Sequence, residues 1–137
     1  KGNFGDREIS QEDDMRLLHE LFYADVVVLC ASTIAIEAAV FDKPAIGIAF
    51  SEKLAPYWAS PRRFYDYTHL SSVVKSGGMR LAESYEELRQ EIEKYLQDPS
   101  RDRVGRSSMI SLHGGFSDAE NSMRVAKIII NNLHNLS

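Results

Sequence analysis

The chain has 137 residues, 44% of them apolar, and a net charge of −4. That suffices for one domain with a real core, and the acidic balance argues against bulk nucleic-acid binding. No apolar run approaches the roughly 20 residues of a membrane span, and the opening Lys1-Gly2-Asn3-Phe4-Gly5-Asp6 holds no apolar signal core.

Residues 1–9 are polar and predict a loop; the missing initiator Met predicts a fragment or processed chain. A helix follows. Ser10 with Asp13 resembles a capping box, and Met15, Leu18 and Phe22 mark an apolar face with Leu17 and Leu21 beside it. The helix ends near Tyr23-Ala24, so the chain reads as an α/β protein entered part-way.

The organising stretch is Asp25 to Phe50. Val26-Val27-Val28-Leu29-Cys30 is short, β-branched and uninterrupted, which suits a strand buried on both faces. Ser32-Thr33 opens a helix through Ala39, and Pro44 stands where that helix cannot continue. Ala45 to Phe50 is a second apolar run. Together they predict a compact βαβ unit with parallel strands and a right-handed crossover. Cys30, the single cysteine, reads as a small core residue; lacking a partner, it fits a reducing cytoplasm.

Chemistry concentrates at the first turn of this unit. Ser32 and Thr33 fall between the carboxyl end of a strand and the amino end of a helix, where free N–H groups and the helix dipole favour an anion. Glu37 lies one turn further in, where a carboxylate can accept hydrogen bonds from sugar hydroxyls. The bland alternative fits equally: Ser32 merely caps the helix and Glu37 is solvated.

Ser51 to Pro56 predicts a loop at the carboxyl edge of the sheet, where open α/β sheets bind ligands. From Tyr57 to Val74 there is no clean period, which predicts loop with a short helix near Leu70–Val74. The segment gathers Tyr57, Trp58, Phe64, Tyr65 and Tyr67 around Arg62-Arg63, which suit a phosphate, and ends near His69, a candidate substrate contact. For each of these three the alternative is simple solvation. Lys75 to Gly78 is a turn, Met79–Ala82 a strand. Ser84 and Glu87 form a capping box before Leu88, Ile92 and Leu96, and Asp98-Pro99 ends that helix. A more polar helix is expected from about Arg101 to Leu112. Ser117 with Glu120 opens a last one, with Ala119, Met123, Ala126, Ile130 and Leu133 on its apolar face and Arg124 toward solvent or an acid.

The sequence has no Walker phosphate loop, Gly-x-Gly-x-x-Gly fingerprint or Gly-x-Ser-x-Gly elbow, and its four histidines lack metal-ligand spacing. Its pattern nonetheless resembles a family. Tyr23-Ala24-Asp25-Val26-Val27-Val28, then Ser32-Thr33-Ile34-Ala35-Ile36-Glu37-Ala38, then Asp42-Lys43-Pro44-Ala45-Ile46 is similar to the carboxyl-terminal domain of GT-B fold glycosyltransferases of the surface-polysaccharide type. UDP-N-acetylglucosamine 2-epimerases and glycerophosphotransferases share the pattern.

The resemblance implies a Rossmann-like, three-layer α/β domain with a small parallel sheet flanked by helices. It implies a nucleotide-sugar donor as substrate, no cofactor and no metal. Ala31, Ser32 and Thr33 would meet the diphosphate and Glu37 the ribose; the catalytic residues are not assigned. The acceptor-binding amino-terminal domain is expected outside this chain, so the isolated chain is expected to be inactive. Localisation is expected to be cytoplasmic, with peripheral association at the inner membrane surface left open. Two alternatives stand beside this: a nucleotide-sugar 2-epimerase or polyol-phosphate transferase domain, and a non-catalytic binding or assembly module using residues 57–67.

Overall fold

The computed structural model describes residues 10–52, 55–114, 120 and 123–128. The loop expected at 1–9, and Ser117, Ala119, Ile130 and Leu133 of the last helix, lie outside the described residues; 123–128 are helical.

Three short strands, β1 (Val27–Leu29), β2 (Ala45–Ile48) and β3 (Met79–Ala82), form one parallel sheet in the order β1-β2-β3. Val27 stands opposite Ala45, and Ala45 opposite Met79. Parallel strands require each connection to run back along the sheet. Helices α2 (Ile34–Val40) and α4 (Thr68–Lys75), numbered in chain order, lie in those two connections. Helices cover both sheet faces. Ala45 and Met79 pack with Leu21, Ala38, Ala39 and Val73 on one side; Ile46 and Ala82 pack with Leu88, Ile92 and Tyr95 on the other. The small parallel sheet flanked by helices is therefore as expected. No helix among the described residues is long and apolar enough to cross a membrane.

The first strand departs from expectation. It is an edge strand, Val28 is 42% exposed, and Cys30 is exposed rather than packed in the core. A short apolar run signals a strand but not its place in the sheet. Helix α1 (Gln11–Tyr23) begins with both halves of its capping box: the Asp13 amide donates to Ser10 Oγ at 3.1 Å, and the Ser10 amide donates to the Asp13 carboxylate at 3.1 Å. Its buried face is Leu17 and Leu21, leaving Met15, Leu18 and Phe22 outside.

The segment after β2 is more helical than expected. It forms a 3-10 turn at Tyr57–Ala59, then α3 (Arg62–Tyr65) and α4. These pieces are too short to show a 3.6-residue period in sequence. Helix α5 (Tyr85–Gln97) starts at Ser84, whose Oγ accepts from the Glu87 amide; the Glu87 carboxylate reaches back to the amide of Glu83, not of Ser84. Tyr95 is buried in α5 where Leu96 was expected, and Leu96 is exposed. Helix α6 (Arg103–Met109) continues into a π-helical turn at Ile110–Gly114, matching the expected polar helix.

The amino edge of the sheet is tied by long-range polar contacts. Arg106, 1% exposed, donates from Nε to Asp42 at 2.8 Å and from its two terminal nitrogens to the carbonyls of Arg101 at 2.7 Å and Pro99 at 2.9 Å. Arg103 adds a second bond to Asp42 at 2.7 Å. Partial burial alone would raise the Asp42 pKa, but Arg106 and Arg103 outweigh it and hold the carboxyl below its usual range. Beside it, Asp102 accepts from both Arg80 and the Tyr95 hydroxyl. The Arg80 bonds hold Asp102 low, while burial and the bond to Asp102 push the Tyr95 phenol up. Gly105 crosses the turn before β3 so closely that an added Cβ would stand 2.2 Å from Gly77 backbone atoms.

Candidate functional site

The carboxyl end of β1 runs into Ala31, which takes a left-handed φ of 36°. A non-glycine residue adopts that conformation only when its surroundings hold it. Here the holder is Tyr65 of α3. Its hydroxyl accepts from the Ala31 amide at 2.8 Å and donates to the Leu29 carbonyl at a long 3.5 Å. Tyr65 is buried, and burial pushes its phenol pKa up, with the Ala31 amide opposing in part. Gly47 of β2 makes the room: a Cβ there would stand 2.7 Å from the Tyr65 hydroxyl.

After this bend Ser32 Oγ accepts from the Ile34 amide at 3.2 Å in a local hydroxyl turn, one residue before Thr33, which takes the N-cap position of α2 expected of Ser32. Thr33 is exposed and makes no side-chain cap bond. The Ala31 amide is held by Tyr65 and the Ile34 amide by Ser32. Those of Ser32 and Thr33 have no hydrogen-bond partner among the described residues. Glu37, one turn further, is exposed and makes no ion pair among the described residues. The turn thus presents two free amides, the exposed hydroxyl of Thr33 and a solvated carboxylate nearby.

The other expected contacts stand differently. Arg62 is engaged, pairing with Asp66 at 2.9 Å and with Glu83 at 3.4 Å. Arg63 lays its guanidinium over the Phe64 ring at 4.6 Å; its Nε is buried without a hydrogen-bond partner. His69 sits exposed in the first turn of α4, not in a loop, with its ring 6.4 Å from that of Tyr67. Because α4 returns between parallel strands, its first turn faces the carboxyl edge of the sheet. Tyr65 ties α3, and so Arg62 and Arg63, to the same edge. Of the aromatic cluster only Tyr65 is buried; Tyr57, Trp58, Phe64 and Tyr67 remain exposed. The Tyr57 hydroxyl bonds Asp66 at 2.8 Å, and Phe64 meets Tyr67 edge-on at 5.8 Å.

A groove of about 420 Å³ runs between α1 and the open edge of β1. Leu17, Leu21, Val26, Val28, Cys30 and Ser32 help to line it; Thr33, Glu37, Arg62, Arg63 and His69 do not. Sequence reasoning missed Tyr65, which acts on a residue 34 positions away and looked like one aromatic among several. No family model, curated protein or solved structure matches this chain.

Proposed function

We propose that this chain is the donor-binding domain of a nucleotide-sugar glycosyltransferase of the GT-B kind, Rossmann-like in architecture and serving surface-polysaccharide or glycolipid synthesis. One observation carries the reading: the bend at Ala31 leaves the Ser32 and Thr33 amides free at the carboxyl end of a parallel strand, with Glu37 solvated one turn on. In this reading Ser32 and Thr33 meet the diphosphate through their amides and the Thr33 hydroxyl, and Glu37 accepts from the ribose. Ala31 shapes the bend and gives no donor, because Tyr65 holds its amide. Donors fixed around the diphosphate stabilise the charge that develops on it as the glycosidic bond breaks. The acceptor and the catalytic base belong to the rest of the enzyme, in the cytoplasm or at the inner membrane surface.

The test is an amide-resonance titration with uridine, cytidine and guanosine diphosphates. Residues 31–37 should shift first, with an affinity of about millimolar to high micromolar, roughly −4 to −6 kcal/mol. Shifts confined to residues 99–128, or none, overturn the reading. A second reading, a non-catalytic assembly module, is favoured by the exposed Tyr57, Trp58 and Tyr67. It predicts no nucleotide shifts at 31–37.

A further inference from the structure

Helix α1 carries a second apolar stripe that stays exposed and that no other described element covers. Met15, Leu18 and Phe22 follow at steps of three and four, the spacing of a coiled-coil seam. Met15, Leu18 and Phe22 are 46%, 42% and 55% exposed, while the helix packs inward through Leu17 and Leu21. The stripe is charged differently at its two ends. The first turn of α1 holds Glu12 and Asp14. At the other end the Lys43 ammonium lies 5.9 Å above the Phe22 ring, which also meets Phe41 edge-on at 6.2 Å. Glu12, Asp14 and Lys43 make no ion pair among the described residues. Arg16 and Glu20, by contrast, pair with each other at 2.9 Å on the side of the helix away from the stripe.

We propose that this stripe is the contact surface for a second copy of the chain, with the two α1 helices antiparallel across a two-fold axis near Leu18. The charges select the orientation. Antiparallel packing sets Glu12 and Asp14 of each copy beside Lys43 of the other, so the complementary contact forms twice. Parallel packing would bring the two acidic turns together. The apolar part is self-complementary, Met15 and Phe22 exchanging places about Leu18. One helix from each side covers less than the about 800 Å² per partner of a standard interface, so the dimer forms in the micromolar to millimolar range.

Analytical ultracentrifugation of the 137-residue chain, from about 10 μM to about 1 mM, tests this. A reversible monomer–dimer equilibrium is expected. Leu18→Glu should be monomeric throughout with an unchanged circular dichroism spectrum; Met15→Glu replaces it if that variant does not fold. Lys43→Glu and Asp14→Lys should each raise the dimer dissociation constant about tenfold, and their combination should return it to within about threefold of the starting value. A monomer at every concentration, a dimer indifferent to Leu18→Glu, or an assembly larger than two overturns the proposal. So does a Leu18-dependent dimer that the double charge reversal fails to restore.

Discussion

The two edges of the sheet are built on opposite principles. At the amino edge the buried and half-buried charges are consumed internally: Arg106 by Asp42 and two carbonyls, Asp102 by Arg80 and Tyr95. At the carboxyl edge one buried hydroxyl, that of Tyr65, fixes the bend, and the groups beyond it stay open: two amides, Thr33 and Glu37. A polar group satisfied by its own chain raises the cost of unfolding, whereas one left in water adds little and stays available to a ligand. The contrast separates charged residues that hold the fold from those that can act on something else. Near a helix end both kinds look alike in sequence.

The contrast breaks most directly at Arg106. Arg106→Ala removes the only charged side chain among the described buried residues, strands two carbonyls and leaves Asp42 to Arg103 alone. Denaturant unfolding should show a loss of about 3–5 kcal/mol; a loss under about 1 kcal/mol would mean the clamp is ornamental. Next is Gly105→Ala, where the new Cβ meets Gly77 backbone at 2.2 Å. Backbone cannot yield as a side chain can, so about 3 kcal/mol should be lost, while Gly114→Ala, which meets only an Ile110 methyl at 3.3 Å, stays within about 1 kcal/mol.

Asp102→Asn keeps a residue that tolerates the left-handed φ of 61° but weakens three charge-assisted bonds, two from Arg80 and one from Tyr95, for about 1.5–3 kcal/mol at neutral pH. Its pH dependence fixes the cause. The folded-state pKa of Asp102 is depressed, so its contribution is complete above the ordinary aspartate value of about 3.9 and is lost as pH falls through the lower folded value. Thermal melts should show the parent losing stability below about pH 4 more steeply than Asp102→Asn. Equal slopes would assign the acid sensitivity elsewhere.

Across the sheet the effects shrink in stability and grow in binding. Tyr65→Phe orphans the Ala31 amide and should cost about 1–2 kcal/mol, with amide shifts concentrated at residues 30–33. Glu37→Gln should leave the unfolding free energy unchanged within about 0.5 kcal/mol yet weaken nucleoside diphosphate binding. A lower melting temperature with unchanged binding would make Glu37 structural and remove the ribose role.

Local signals carried much of the fold into the sequence. Ser10 and Asp13 lie a turn apart and close their box as their spacing requires. The strands at Val27 and Ala45 announce themselves by β-branched or apolar runs, and the Ser32-Thr33 turn by its place between run and helix. What was hidden is long-range. Arg106 finds Asp42 across 64 positions, and nothing near either residue hints at the other. The edge position of β1 depends on strand order, which an apolar run does not encode. Which apolar side of α1 packs inward was not legible, because Met15, Leu18 and Phe22 form as regular a stripe as Leu17 and Leu21; sequence period shows that a face is apolar, not what covers it.

The exposure of Cys30 has a practical side. It is the only thiol in 137 residues, and it stands two positions before Ser32, in the lining of the groove beside β1. A maleimide dye can therefore be attached at one known point without altering any other residue. Placed there, the dye sits next to the Ala31 bend, where a change in its surroundings would be read as a change in fluorescence.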